Sequence, residues 1–427
     1  MAKARKTTKY MLLVGDGMAD YPIPELDGKT PLEVAETPNM DRIASCRIGV
    51  AQTIPEGMEP GSDVANLSLL GYDPETCRTG RAPFEAASMG VKLEPDEVAF
   101  RMNLITLDWK SACTSSNRDR SDHEIMMVSH SSGDISTEEG RVLVEALRKG
   151  LNVPGIKMYP GVAYRHLLVW HQGPEKAKTI PPHDVLDQNM APYLSDPERN
   201  PIPGLIRHSW EILRDHPVNT ERRKKGLLEA NSIWLWGQGR SPKLQPFKHK
   251  FGLRGGVISA VDLLKGIGIY AGFETIYVAG ATGYLDTNYR GKAEGALNGL
   301  KHLDFLFVHV EAPDEASHNG NMREKIQAIE SFDEKVVGTV LDGLEAFEDY
   351  RIMVASDHFT PICKKTHTSE PTPFAWASKK ELRSAPEGHG FTEAYARESG
   401  LIIEKGHDLM PVFFQDPRAK SFKQITR

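Results

Sequence analysis

The chain has 427 residues, of which 40% are hydrophobic and 26% charged, with a formal net charge of −6. That composition excludes a disordered chain, and the length exceeds one ordinary core, so two domains or one domain with a large insertion are expected. The acidic balance and the lack of a long Lys/Arg block argue against a nucleic-acid partner, although a local arginine cluster could still bind a small anion.

The first apolar run, residues 10–14, is β-rich and ends in Gly-Asp-Gly. It is too short for a signal sequence or a membrane span, so no membrane partner is expected and a buried strand is predicted, with Asp16 just past its end. The four cysteines, Cys46, Cys77, Cys113 and Cys363, contain no CxxC pair. Their scatter argues against a zinc knuckle or a disulfide framework and fits a reducing cytoplasm.

Residues 59–74 read E-P-G-S-D-V-A-N-L-S-L-L-G-Y-D-P. Pro60-Gly61 predicts a sharp turn and Ser62 the start of a helix, where the helix dipole favours an alkoxide and a divalent ion would lower the hydroxyl pKa further. The plain alternative is that Ser62 is only the N-cap. Arg78, Arg81, Arg101 and Arg165 follow; guanidinium forks suit phosphate and carboxylate, but solvated surface arginines are equally common.

The texture changes over residues 107–227, with a polar stretch at 111–123, two strand-like runs and proline-rich segments near Pro181 and Pro201. This predicts an inserted α+β cap domain, with 1–106 and 228–427 forming the other domain. Further strands are predicted at 233–236, 275–279, 305–310 and 352–355. Ile326, Ile329, Val336, Val337, Val340 and Leu344 mark a helical stretch whose spacing slips. The run V-A-G-A-T-G-Y at 278–284 lacks the third glycine of a dinucleotide turn and reads as a strand-end turn, with Asp286 and Lys292 beyond it within possible reach of a cleft.

Strand and helix alternation implies an α/β fold, a mostly parallel sheet with helices on both faces. Ligands bind at the carboxyl ends of such strands. Asp16, Asp314, His318, Asp357, His358 and His367 all fall past predicted strands. Asp314 and His318 are four apart, so one helical turn would aim both the same way. Each pair alone is better explained by capped turns. Together, mixed oxygen and nitrogen donors in this number suit two divalent ions.

The segments G-D-G-M-A-D, T-P-N-M-D, P-G-S-D-V-A-N-L-S-L-L-G-Y-D-P, G-A-T-G-Y-L-D-T-N-Y, V-H-V-E-A-P-D-E-A-S-H, S-D-H-F-T-P and K-T-H-T resemble, in order and spacing, the archaeal-type 2,3-bisphosphoglycerate-independent phosphoglycerate mutases of the alkaline phosphatase superfamily. The resemblance covers roughly residues 1–105 and 228–415. It implies an alkaline-phosphatase-like domain with Asp314, His318 and His367 on one metal ion, and Asp16, Asp357, His358 and the Ser62 oxygen on the other. Mn2+ is the expected ion, with Zn2+, Co2+ and Mg2+ as alternatives, and no bisphosphoglycerate is needed. The implied reaction interconverts 3-phosphoglycerate and 2-phosphoglycerate through a phosphoserine at Ser62, while a cap excludes water. Arg81, Arg101, Arg165, His183 and Lys292 are the expected substrate-binding residues. A related phosphotransferase, homoserine kinase-like, phosphopentomutase-like or a phosphatase, is the alternative on the same scaffold, and a non-catalytic metal-binding or nucleotide-binding protein the alternative of another class.

Overall fold

The computed structural model describes residues 8–109, 125–195, 200–386, 388 and 390–415. The polar stretch 111–123, with Cys113 in it, lies outside the described residues. In chain order the strands are β1 (Lys9–Gly15), β2 (Ile48–Ala51), β3 (Glu97–Trp109), β4 (Ile125–Ser129), β5 (Ile156–Val162), β6 (Arg165–His171), β7 (Ser232–Gly239), β8 (Gly255–Ile258), β9 (Glu274–Thr275), β10 (Phe305–Val310), β11 (Tyr350–Ser356), β12 (Thr372–Ser378) and β13 (Ile402–Ile403). Among the described residues, no helix is long and apolar enough to cross a membrane.

The chain divides into two compact units, Met1–Arg78 with Lys243–Arg427, and Thr79–Pro242. The expected insert, 107–227, was therefore too narrow at both ends. The reason is β3, which pairs over 97–103 with β6, over 99–105 with β7 and over 106–109 with β4. A strand laddered along its whole length cannot be divided at residue 106, and β7 must stay with it. The run 233–236 is a strand as expected, but it belongs to this second, antiparallel sheet.

In the first unit, eight strands lie in the order β13-β2-β12-β11-β1-β10-β8-β9. The pairings of β1 with β10 and β11, of β10 with β8 and of β8 with β9 are parallel, and β12 alone runs against its neighbours. The central strand is continuously buried over its last five residues, as a sheet covered on both faces requires. Met11, Leu13, Leu306, Val308, Ile352 and Val354 face one core. On the other face Phe305 stacks on Phe247, with ring centroids 4.9 Å apart. Of the expected strand at 275–279, only Thr275 pairs. It lies in edge strand β9, which makes two residue pairings with β8 before the chain leaves the sheet.

The slip in the predicted helical stretch has a structural cause. The helix Met322–Phe332 passes through a π-helical segment, Asp333–Gly338, into the helix Thr339–Leu344. A π turn takes one extra residue, so Val336 and Val337 are both fully buried. Asp333 opens this segment and caps a distant helix, Pro38–Ala44. It accepts from Met40 N at 2.7 Å, Asn39 N at 3.2 Å and Asn39 Nδ2 at 2.8 Å, while Thr37, at the N-cap position, makes no side-chain capping bond. Asp333→Ala strips two N–H groups of their acceptor and is expected to cost about 2 to 3 kcal/mol, read as a lower urea midpoint.

In the second unit the sheet order is β4-β3-β6-β5, with β7 also on β3. Val98, Phe100, Met102 and Leu104 face a core shared with the helices Thr137–Leu151 and Pro201–Leu213. Ala99 faces a separate cluster with Ala82 and Ala86 of the helix Ala82–Ser88. The unit is α+β, as expected of the insert.

Candidate active site

Strand register sets the first-unit site. Gly15 is level with Val310 on one side and with Ser356 on the other. Asp16, Glu311 and Asp357 therefore leave adjacent strands at the same height, at the carboxyl edge of the sheet. Gly17 is in the left-handed region (φ 58°), and a Cβ there would lie 2.5 Å from Thr360 Oγ1 and 2.6 Å from Asp314 Oδ1. Its N–H donates to Asp357 Oδ1 at 3.0 Å. Glycine is required here by both the backbone angle and the space.

The helix Ala312–His318 carries Asp314 and His318 on one side, as the spacing predicts. Asp314 Oδ2 lies 3.1 Å from His318 Nε2 and Asp314 Oδ1 lies 3.5 Å from His367 Nε2. The two imidazole Nε2 atoms are 3.0 Å apart. His367 returns to the site because Phe359 bridges to Thr368 in the loop after β11. His318 Nδ1–H donates to the Lys365 carbonyl at 2.9 Å, which leaves Nε2 facing Asp314.

A second set surrounds His358 Nε2: Ser62 Oγ at 3.3 Å, Asp16 Oδ1 at 3.3 Å and Asp357 Oδ2 at 3.5 Å. The Thr360 hydroxyl donates to Asp314 Oδ1 at 2.6 Å, so it accepts from His358 Nδ1–H at 3.1 Å. That fixes the tautomer with Nε2 free. Ser62 is the first residue of the helix Ser62–Leu69, and Gly61 holds the N-cap position with no side-chain cap. The N-cap alternative for Ser62 is thus not what the chain adopts. One turn on, Asn66 Nδ2 donates to the Ser62 carbonyl at 2.9 Å and to Asp357 Oδ2 at 2.8 Å, tying the serine to the carboxylate.

The electrostatics call for cations. Burial, then the charges of Asp357, Asp314 and Glu311, push the Asp16 carboxyl well above its ordinary range. Burial pulls His358 down to about 4, against the charge of Asp357. At His318 burial is outweighed by the hydrogen bond and charge of Asp314, which lift the imidazole to about 9. Burial also opposes ionisation of Asp314, but the His367 charge and the bond from His318 hold it well below the carboxylate range. Asp16 Oδ1 is buried with no hydrogen-bond partner. Crowded carboxylates, imidazoles with Nε2 turned inward and an unpartnered buried oxygen fit divalent ions. Ligand atoms of Asp314, His358 and His367 also fall within 4.8 Å of one another, as do those of Asp16, His309 and Asp357. His358 thus stands between the two sets; its contacts with Ser62 and Asp16 favour the second.

Comparison with known proteins agrees with this geometry. A family model described as 2,3-bisphosphoglycerate-independent phosphoglycerate mutase matches residues 44–219. A relative of that name from Methanosarcina acetivorans is 50% identical, covering 94% of this chain and 98% of its own length. One from Geobacter sulfurreducens, named as a probable enzyme of this kind, is 48% identical over the same shares. The chain belongs to the 2,3-bisphosphoglycerate-independent phosphoglycerate mutase family. Among solved structures, a Pyrococcus horikoshii protein superposes with TM-score 0.79 at 30% identity, covering 96% of this chain and 97% of the other. The cofactor-independent phosphoglycerate mutase of Thermoplasma acidophilum gives 0.60 at 25% identity, with 96% and 99% covered.

In this mutase-family chain the expected substrate-side residues of the second unit gather together. Strand alternation turns Arg101 to the face of Ala99, where its Nε pairs with Glu85 Oε2 at 3.1 Å and its guanidinium lies 3.9 Å from the Trp236 ring centre. The His183 ring is 5.5 Å from Trp236 and 6.1 Å from His130. The Arg165 guanidinium lies 5.2 Å over Tyr164, whose ring meets His130 at 5.7 Å. Burial lowers the Arg101 pKa, Glu85 opposes it, and Arg81 and Arg165 lower it further. Burial lowers His183, with Asp184 opposing and His130, Arg101 and Arg81 adding to the fall. The lowered values of Arg101 and His183 show that these basic groups lie close enough to repel one another's charge.

Lys292 is placed differently. It belongs to the first unit, is fully buried, and its ammonium donates to the His309 carbonyl at 3.2 Å. Burial lowers its pKa to about 8. Asp286 accepts from the Thr282 hydroxyl at 2.6 Å within the glycine turn. Asn66, Thr360, His309 and His130 escaped the sequence reading. Asn66 had a signal, since it is one helical turn from Ser62.

Proposed function

We propose that this chain interconverts 3-phosphoglycerate and 2-phosphoglycerate without bisphosphoglycerate, using Ser62 as the phosphoryl carrier. The observation that carries this is Ser62 Oγ at 3.3 Å from His358 Nε2, beside the Asp16 and Asp357 carboxylates, in a chain of the mutase family. Asp314, His318 and His367 would hold one divalent ion, and Asp16, Asp357, His358 and the Ser62 oxygen the other. Mixed oxygen and nitrogen donors suit Mn2+ or Zn2+, and Mn2+ is the ion proposed. When bound, the ions supply neutralisation of charge at phosphorus and a lowered hydroxyl pKa at Ser62.

Ser62 Oγ attacks phosphorus in line, forming a bond to it as the bond from phosphorus to the substrate oxygen breaks. The leaving oxygen takes up a proton, giving glycerate and phosphoserine. The other glycerate hydroxyl then loses its proton and attacks the phosphoserine, which restores Ser62. Asn66 holds the serine backbone and Asp357 at fixed separation throughout. We assign recognition of the substrate anion to Arg81, Arg101, Arg165 and His183, helped by His130, and Lys292 supports the site through its bond to the His309 carbonyl of β10. The reaction belongs to glycolysis and gluconeogenesis, which supports a cytoplasmic location.

Mn2+-loaded protein given 3-phosphoglycerate, with enolase reporting 2-phosphoglycerate, is expected to turn over with no bisphosphoglycerate present. Release of inorganic phosphate without 2-phosphoglycerate would mark a phosphatase instead. Dependence on added bisphosphoglycerate would refute the proposal.

A further inference from the structure

The His309 imidazole lies outside the roles assigned by the sequence motifs. It occupies the second-last position of β10, is fully buried, and its Nε2 has no hydrogen-bond partner. That nitrogen nevertheless lies 3.0 Å from Asp16 Oδ2. The two atoms are close without the alignment of a hydrogen bond. Neighbouring ligands of one divalent ion have this relation, because donor atoms about 2.0 to 2.2 Å from a shared ion stand about 3 Å apart while pointing at a third position. One ligand atom each from Asp16, His309 and Asp357 lies within 4.8 Å of the others, and all three residues are buried.

The surroundings of the imidazole support a free Nε2 lone pair. Ser259 Oγ accepts from Val261 N–H at 3.0 Å and lies 3.5 Å from His309 Nδ1. With Nδ1–H directed at that oxygen, Nε2 carries the lone pair; the other tautomer would bury an N–H with no acceptor. The Lys292 ammonium donates to the His309 carbonyl at 3.2 Å and anchors the backbone. An imidazole fixed at both its ring nitrogen and its backbone, with one nitrogen left over beside a carboxylate, is arranged as a ligand is.

We infer that His309 is an additional metal ligand, joining Asp16 and Asp357 at the divalent ion that also takes His358 and the Ser62 oxygen. The inference rests on the two-ion reading of the site and adds a residue to it. A fifth protein residue takes this ion beyond tetrahedral coordination. It therefore favours Mn2+ over Zn2+ at this position.

The test uses the full-length chain with Mn2+ alone. Ions bound per chain are counted from the signal of free Mn2+, and pulsed electron paramagnetic resonance reads nitrogen couplings to the bound ion. Thermal unfolding in chelator checks that variants fold. In His309→Ala, one of the two ions is expected to bind about 100-fold more weakly or worse, and one nitrogen coupling should vanish. His309→Asn, nearer in shape to the imidazole, serves if the alanine variant does not fold. Two ions bound by the variant as tightly as by the wild type overturn the inference alone. Weaker binding with every nitrogen coupling kept also overturns it, since His309 would then only orient Asp16. A wild-type chain that takes up no Mn2+ overturns the two-ion reading together with the inference.

Discussion

Ser62→Ala is expected to reduce conversion of 3-phosphoglycerate to 2-phosphoglycerate by about 10,000-fold or more, with little loss of stability. The chemical loss follows from removing the atom that receives the phosphoryl group; nucleophile deletions elsewhere cost this much or more and leave only the acceleration from binding and charge. Such a factor corresponds to about 5.5 kcal/mol of barrier. Stability should hold because the serine does not cap its helix: Gly61 occupies the N-cap position and no side-chain bond closes the first turn. Alanine has the higher helix propensity. Asn66 would also keep its bonds, since it contacts the Ser62 carbonyl and not the hydroxyl. The enolase-coupled rate, set beside a thermal melt, separates the two effects. A folded variant within tenfold of the wild-type rate would exclude Ser62 as the carrier.

Loss of the metal ligands should be nearly as damaging. Asp357→Asn is expected to lower turnover by about 1,000-fold. Asp357 Oδ1 accepts from the N–H groups of Gly17 and His358, both at 3.0 Å, and Oδ2 accepts from Asn66. An amide of the same shape must turn an NH2 group toward one set of these donors, so the variant loses charge and geometry together. Chelator should abolish activity in the unmodified chain and Mn2+ should restore it. The rate of Asp357→Asn should recover only in part at high Mn2+ concentration. Full activity in chelated protein would show that the carboxylates and imidazoles serve another purpose.

Much of this site could be read before the structure, because few physical rules were needed. Short β-rich runs at 10–14, 305–310 and 352–355 gave parallel neighbours, and the register then placed Asp16, Glu311 and Asp357 side by side. The four-residue spacing of Asp314 and His318 held because one helix carries both. What escaped depends on long-range pairing. Nothing local distinguishes β9, an edge strand that ends at Thr275, from a buried strand continuing to residue 279. The insert boundary failed because β3 was not read as a strand, and nothing local shows that β6 and β7 pair with it. Thr360 was hidden for a different reason: whether a hydroxyl links His358 to Asp314 depends on a loop conformation that spacing does not encode. His309 was masked by the apolar run V-H-V, in which a histidine looks like an interruption of a strand.

The most direct test of the serine carrier is to quench Mn2+-loaded protein during turnover of 3-phosphoglycerate and map phosphorylation by mass spectrometry. A phosphate on Ser62 that forms with substrate and disappears when substrate is exhausted is the expected result. Sustained turnover with Ser62 unmodified, or with the phosphate on another side chain, would contradict it.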